Sequence, residues 1–163
     1  MASDLLIKAP LNYEPLRKNR WRFLFPSDLG IQEWWMVTGK RPSYKAEETA
    51  IKFLNTETYV EGRYSWDSMQ ITLNDYIGPS TSQAVMEWVR LHSESVTGRQ
   101  GYAAGYKRDV EIEMLDPTCV VVQKWILKNT WITAADFGQL DYNSSDIATI
   151  LLTLRFDYAI LAF

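Results

Sequence analysis

The chain has 163 residues, 47% hydrophobic and 23% charged, a balance that fits one folded domain and excludes a disordered chain. A formal charge of −3 argues against a protein that grips nucleic acid through its phosphates. One cysteine and one histidine exclude a disulfide framework, a multi-cysteine metal site and histidine-rich metal chemistry.

Residues 1–19 combine Pro10 and Pro15 with no hydrophobic period and read as an extended N-terminal arm. Met1 to Pro10 lacks the basic and apolar segments of a secretory signal, and no apolar run is long enough to span a bilayer, so no membrane anchoring is expected. Lys8, Arg17, Lys18, Arg20 and Arg22 concentrate in and just after the arm. They serve either as a solubilising tail or as an arm that docks on a neighbouring subunit. Trp21, Phe23 and Phe25 then alternate with Arg20, Arg22 and Leu24, the period of a strand. Pro26 to Gly30 is a turn, and the aromatic and branched run Ile31 to Thr38 reads as a second strand.

Tyr44 to Leu54 fits a helix or a strand by composition. With the turn Asn55 to Thr58 and the strand-like run Tyr59 to Tyr64 it could form a long hairpin over 44–64. Ser68 to Asn74 alternates cleanly as a strand. One helix stands out over 80–94. Ser80 is a good N-cap with Gln83 three residues on, and Val85, Trp88, Val89 and His92 form one helical stripe. Residues 95–106 hold three glycines and read as loop.

Lys107 to Leu115 alternates Val110, Ile112 and Met114 with Asp109, Glu111 and Glu113. Thr118 to Lys128 is β-prone, Trp131 to Asp146 reads as irregular, and Ile147 to Ala159 reads as a last strand. Seven or eight strands and one helix make a mainly β, single domain over residues 1–163. No internal repeat is present.

A catalytic constellation is missing from this reading. His92 sits on the apolar stripe of the helix, where a packed structural role is expected. Cys119 opens a β-prone run and is expected as a small buried side chain. Gly98, Gly101 and Gly105 do not have phosphate-loop spacing. The alternating carboxylates of residues 109–113 read as a solvated strand face before they read as a paired acid site. No enzyme activity and no cofactor or metal is expected.

The order of these elements resembles the tail tube proteins of contractile-tailed, T4-type bacteriophages. The resemblance rests on Arg17-Lys18-Asn19-Arg20-Trp21-Arg22-Phe23, on Arg41-Pro42, on Phe53-Leu54-Asn55 and on Tyr59-Val60-Glu61-Gly62. It continues through Trp66-Asp67, Gln70 to Asp75, Glu87-Trp88, Tyr106-Lys107-Arg108 and Leu154 to Tyr158. Each motif is weak alone, and their order and spacing carry the likeness. From Arg41 to Asp75 no gap is needed. The departures are the apolar end Ala159 to Phe163 and the turn at Gly78-Pro79.

The resemblance implies two packed antiparallel sheets forming a small barrel, one flanking helix, a long hairpin and the extended arm. It implies six copies in a ring, and rings stacked through the hairpin and arm into a hollow tube inside a contractile sheath. Genomic DNA would pass through the lumen without specific binding. The implied partners are further copies of the chain and the sheath, baseplate or tube-initiator, tape measure and tail terminator proteins. The implied location is the tail of a virion assembled in the host cytoplasm. An acidic lumen would repel phosphates, so Glu47, Glu48, Glu57, Glu61, Asp109, Glu111 and Glu113 are its candidate lining. Arg17, Arg20, Trp34, Trp35, Phe53, Leu54 and Tyr59 are the candidate intersubunit contacts. A tube-initiator or baseplate paralogue, the tube of a phage-derived injection device, and a small-ligand barrel of lipocalin type are the competing readings.

Overall fold

The computed structural model describes residues 13–163. Residues 1–12 of the expected arm lie outside that range, and residues 13–19 run without helix or strand. The strands are β1 (Trp21–Leu24), β2 (Met36–Thr38), β3 (Tyr44–Phe53), β4 (Thr56–Trp66), β5 (Met69–Asn74), β6 (Arg108–Leu115), β7 (Val121–Asp136), β8 (Thr149–Arg155) and β9 (Tyr158–Leu161). The helices are α1 (Thr81–His92) and the single turn α2 (Ala103–Tyr106).

Seven strands form one antiparallel sheet in the order β1-β6-β7-β8-β5-β2, with β9 also paired to β7. The sixteen-residue β7 runs through both halves of this sheet. Its first part pairs with β6 and β9, and Trp131 to Asp136 pair with β8. Between these parts Asn129 has φ 56°, a left-handed kink. The sheet curls there, and its halves pack face to face as two layers. Phe23, Val110, Ile112 and Leu127 come from one layer, and Ile71, Leu73, Ile150, Leu152 and Leu154 from the other, all buried in one core. The alternation legible in the sequence is what fills it, because every second side chain of a strand points inward.

Helix α1 closes the core at one side. The Ser80 hydroxyl accepts the Gln83 N–H at 3.3 Å, the expected cap. Val85 and Trp88 are buried, and the Trp88 indole N–H donates to the Tyr106 carbonyl at 2.9 Å. Trp88 also meets Phe25 edge to face at 6.1 Å. These contacts tie the helix to α2 and to the end of β1.

Four local expectations give way to tertiary context. Ile31 to Thr38 is not one strand: Glu33–Trp35 forms a 3-10 turn, followed by the three residues of β2. The stretch 95–106 contains α2. Trp131 to Asp136 is strand, because the chain continues pairing past the kink at Asn129. The apolar end Ala159 to Phe163 supplies most of β9, which continues β8 along β7 and brings the strands among the described residues to nine.

Cys119 is exposed. It stands at φ 65° in a tight turn before β7 whose N–H groups converge on one carboxylate. Asp116 Oδ1 accepts from Thr118 at 2.8 Å and from Val120 at 2.9 Å. Those bonds hold the Asp116 carboxyl below the ordinary carboxylate range.

Candidate assembly surface

Among the described residues, the strands β3 and β4 pair only with each other and form a two-stranded sheet outside the main one. Every residue from Tyr44 to Ser65 is exposed. Ten antiparallel residues at a rise of ~3.4 Å span about 34 Å, so the hairpin is an arm. An isolated two-stranded hairpin is marginal in water and requires a neighbour to cover it. Its root is anchored: Tyr44 stacks on Tyr64 at 5.8 Å and meets Trp66 edge to face at 5.4 Å, and Trp66 packs on core Phe156 at 6.2 Å.

Register assigns the faces. Thr49 pairs with Val60, Ile51 with Thr58 and Phe53 with Thr56, giving one face an apolar and threonine strip towards the tip. Lys52 pairs with Glu57, Ala50 with Tyr59 and Glu48 with Glu61, giving the other face tyrosines and carboxylates. A bulge between Ala46 and Glu48 keeps Tyr44 and Tyr64 on this second face. The Tyr44 hydroxyl donates to Glu61 Oε1 at 2.5 Å, which holds that phenol above its ordinary range. Lys52 and Glu57 form an ion pair at 3.3 Å.

The tip is a two-residue turn, Leu54-Asn55, closed by the Phe53–Thr56 pair. Phe53 is 72% and Leu54 88% exposed. Leu54 has φ 52°, a left-handed backbone that favours glycine.

The second element of the surface is an open seam. The curled sheet ends in β1 and β2, which do not pair with each other. A groove of about 470 Å³ lies between them, floored by Trp21, Ile112 and Met114 with Val37 on its wall. Arg17, Lys18, Lys40 and Arg41 rim it. Gly39 permits this shape, since a Cβ there would lie 2.9 Å from the Trp21 ring.

The candidate contact residues divide. Arg17, Phe53, Leu54 and Tyr59 lie on the groove or the hairpin. Arg20 pairs with Glu14 at 3.2 Å within the chain. Trp34 is 56% exposed and packs on Tyr76 at 4.8 Å, beside the seam. Trp35 is 0% exposed and sits in the core, which corrects its assignment as an intersubunit contact. The 3-10 turn Glu33–Trp35 sends the two neighbouring indoles to different sides.

The candidate lumen carboxylates divide too. Glu47, Glu48, Glu57 and Glu61 are exposed on the hairpin. Glu113 is 6% exposed and bonded to Arg22 at 2.5 Å, with Lys124 at 3.7 Å, so it is a buried ion-pair member and not a free lining carboxylate. Register explains this: Glu113 stands opposite Arg22 on β1 and opposite Lys124 on β7. Glu111 pairs with Lys124 at 2.8 Å and Asp109 with Lys128 at 2.7 Å. Each carboxylate on this face of β6 therefore has a cross-strand cation, and the face is close to neutral.

His92 packs edge-on against Tyr106 at 5.3 Å and Trp131 at 5.6 Å, and its burial lowers its pKa. Its surroundings are those of a structural residue. Among the described residues, no group of three or more His, Cys, Asp or Glu side chains is placed to hold a metal ion. The seam groove and the left-handed Leu54 went unread in the sequence. A leucine between Phe53 and Asn55 at the centre of a hairpin was the available signal for the second.

No protein-family model matches the chain, and no curated protein matches it in sequence. Solved structures do match in fold. A chain of the anti-feeding prophage cap, described as the AFP tube terminating cap, aligns with a TM-score of 0.69 at 15% identity over 96% of this chain and 97% of that one. A chain of the PVC sheath/tube terminator, from an extracellular contractile injection system, aligns at 0.63 and 15% identity over 93% and 99%. A chain of the PVC sheath-tube complex aligns at 0.61 and 16% identity over 93% of each. Curled sheet, flanking helix and long hairpin together are thus the fold shared by chains of the tube, terminator and cap assemblies of contractile injection systems.

Proposed function

We propose that the chain is a structural, non-catalytic subunit of a contractile-tail tube. Copies stack head to tail, in rings of six, into a hollow tube within a sheath. The observation that carries this reading is the exposed hairpin β3–β4. Ile51, Phe53, Leu54, Tyr59, Val60 and Tyr64 lie on a two-stranded arm with no partner sheet among the described residues. Such an arm gains its missing burial from another copy. The fold likeness to chains of tube and terminator assemblies supports the same reading.

In a phage tail the tube would conduct DNA into the host. The hairpin carboxylates Glu47, Glu48, Glu57 and Glu61 then remain candidates to face the lumen, where they would repel phosphates. Glu57, Glu111 and Asp109 contribute less, because each is already paired with a lysine. A tube-terminating role is the second reading, favoured by the likeness to the terminating cap.

Electron microscopy of the chain expressed with its neighbouring genes tests the proposal. Stacked rings with an acidic bore are expected. A chain that stays a compact monomer in that setting, with removal of the hairpin tip changing nothing, would overturn it. Single rings confined to the end of a tube built from another protein would select the terminator.

A further inference from the structure

We infer that the seam groove between β1 and β2 is the binding site for the chain's own residues 4–7, Asp-Leu-Leu-Ile, which fill the gap as an added strand. The contact is made within one copy, so it goes beyond the tube reading and does not depend on it. Residues 1–12 lie outside the described range. Three observations point to them: the shape of the groove, the place where the described chain begins, and the chemistry of their sequence.

The groove is a gap with room for a strand. Among the described residues β1 pairs only with β6 and β2 only with β5, and their free edges bound a groove of about 470 Å³. Such edges carry rows of unpaired N–H and C=O groups, which folded proteins cover. One extended segment laid between them pairs with both. Leu16, Arg17 and Lys18 belong to the groove lining, so the described chain, which starts at Tyr13, begins beside the gap. Ile7 lies nine residues before Leu16. At ~3.3 Å per residue that stretch reaches about 30 Å, enough to leave the groove, turn at Pro10 and return.

The chemistry matches. Leu5, Leu6 and Ile7 are the one run of large apolar residues in 1–12. In a strand Leu5 and Ile7 share a face and Asp4 lies on the other. The first face suits the floor of Trp21, Ile112 and Met114. The second meets the rim of Arg17, Lys18, Lys40 and Arg41, where the described lining holds no carboxylate. None of these four cations forms an ion pair with a described carboxylate. Asp4 supplies one. Lys8 has no partner on a cationic rim, and it marks where the docked stretch ends. The tether decides whose segment binds. A segment joined through a short flexible link acts at an effective concentration on the order of millimolar. In a micromolar solution of subunits the chain's own segment therefore takes the groove ahead of another copy's.

Disulfide closure in the full-length monomer, isolated by size exclusion, tests this. With Cys119→Ser throughout, Ile7→Cys is combined with Val37→Cys on the groove wall. The intramolecular disulfide is expected to close at least tenfold faster than in the same pair carrying Asp4→Lys and Leu5→Ser. A tether alone brings the thiols together equally in both, so equal rates would overturn the contact. Lys40→Glu with Arg41→Glu is expected to slow closure at least threefold at low salt, and Asp4→Lys added to that chain to restore it. No slowing would overturn the pairing of Asp4 with the rim. Disulfides that join two chains in preference to closing within one would give the segment to a neighbouring copy and overturn the proposal. Hydrogen exchange reads the same contact without cysteines. Leu5→Ser with Ile7→Ser is expected to speed exchange of the groove-side amides of β1 and β2 at least tenfold while the melting temperature shows a folded chain, and unchanged exchange would overturn the added strand. Electron micrographs judge the tube separately. Tubes from a chain whose pair fails to close overturn this contact alone, and closure without rings or tubes upholds it and counts against the tube.

Discussion

Asp109 accepts the backbone N–H of Asn129 at 3.1 Å, and through that bond a carboxylate on β6 holds the left-handed corner of β7. Lys128 Nζ reaches the same carboxylate at 2.7 Å. From the other side Asp157 accepts the Asn129 side-chain amide at 2.8 Å and Lys107 at 3.1 Å. The corner divides the two layers of the sheet, so the curl of the whole fold depends on it. Asp109→Ala should destabilise the chain by about 1–2 kcal/mol, the scale of one lost hydrogen bond to a charged group with a partly exposed ion pair. Asp109→Asn, which can still accept from Asn129, should lose less. Urea melts of the monomer check both, and an unchanged midpoint for the alanine variant would remove the clamp from the account.

The same carboxylate sets an acid limb. Its bond to Lys128, more than any other contact, holds the folded pKa below the ordinary value of an aspartate. A group with a depressed folded pKa stabilises fully above its unfolded pKa, and that contribution fades as pH falls through the folded value. Asp109 thus adds to the loss of stability only below about pH 4. Asp109→Asn should flatten the fall in melting temperature in that range and leave the profile near neutrality parallel to wild type.

Neighbouring indoles should behave in opposite ways. Trp35→Ala removes a fully buried side chain and should cost about 3–5 kcal/mol. Trp34→Ala, exposed and packed mainly on Tyr76, should cost about 1 kcal/mol or less. Trp35→Phe should fall between them. Among the described residues the buried Trp35 indole N–H has no partner, so losing it forfeits no hydrogen bond seen there. Equal costs for the two alanine variants would contradict the burial seen here.

What the sequence made legible was set by how local the signal is. Ser80 with Gln83 announced the start of α1, and the period of two in residues 69–74 and 150–156 announced core strands, because both depend on neighbours along the chain. The hairpin needed more. Tyr44 to Phe53 has a helix-compatible composition, and only its pairing with β4 decides the matter. Trp34 and Trp35 could not be told apart, since a three-residue 3-10 turn breaks the strand alternation between them. The carboxylates of β6 looked alike in sequence. Glu113 differs because Arg22 and Lys124 arrive from two other strands. The seam groove was invisible for the same reason: residues near 17, 21, 40 and 112 meet only after the sheet curls.

His92 should give the chain a second pH dependence, nearer neutrality. Packed between Tyr106 and Trp131, it has a pKa lowered first by desolvation, partly offset by the Ile132 backbone. The unfolded chain therefore binds a proton near pH 6.5 while the folded chain resists it. Stability from this site is complete above that pH and declines as pH falls through the folded pKa. His92→Phe keeps an aromatic ring in the cluster and cannot titrate. Its melting temperature should stay flat from pH 7.5 to 5.5 where wild type declines, and parallel profiles would show that His92 does not carry the effect.

Leu54→Gly separates fold from assembly. The left-handed backbone at φ 52° disfavours a leucine, and glycine removes that penalty of about 1 kcal/mol. Part of the gain is returned, because glycine has more freedom to lose on folding. The monomer should be as stable as wild type or slightly more so, with slower hydrogen exchange at the amides flanking the Leu54-Asn55 turn. Assembly should move the other way, because the variant lacks the apolar side chain at the tip. Leu54→Asn is the control, since asparagine tolerates the same backbone but offers a polar tip. Both variants should keep the monomer melt and shorten or abolish tubes in electron micrographs. If Leu54→Gly destabilises the monomer, the leucine is packed within its own subunit. If both variants assemble like wild type, the tip does not hold copies together.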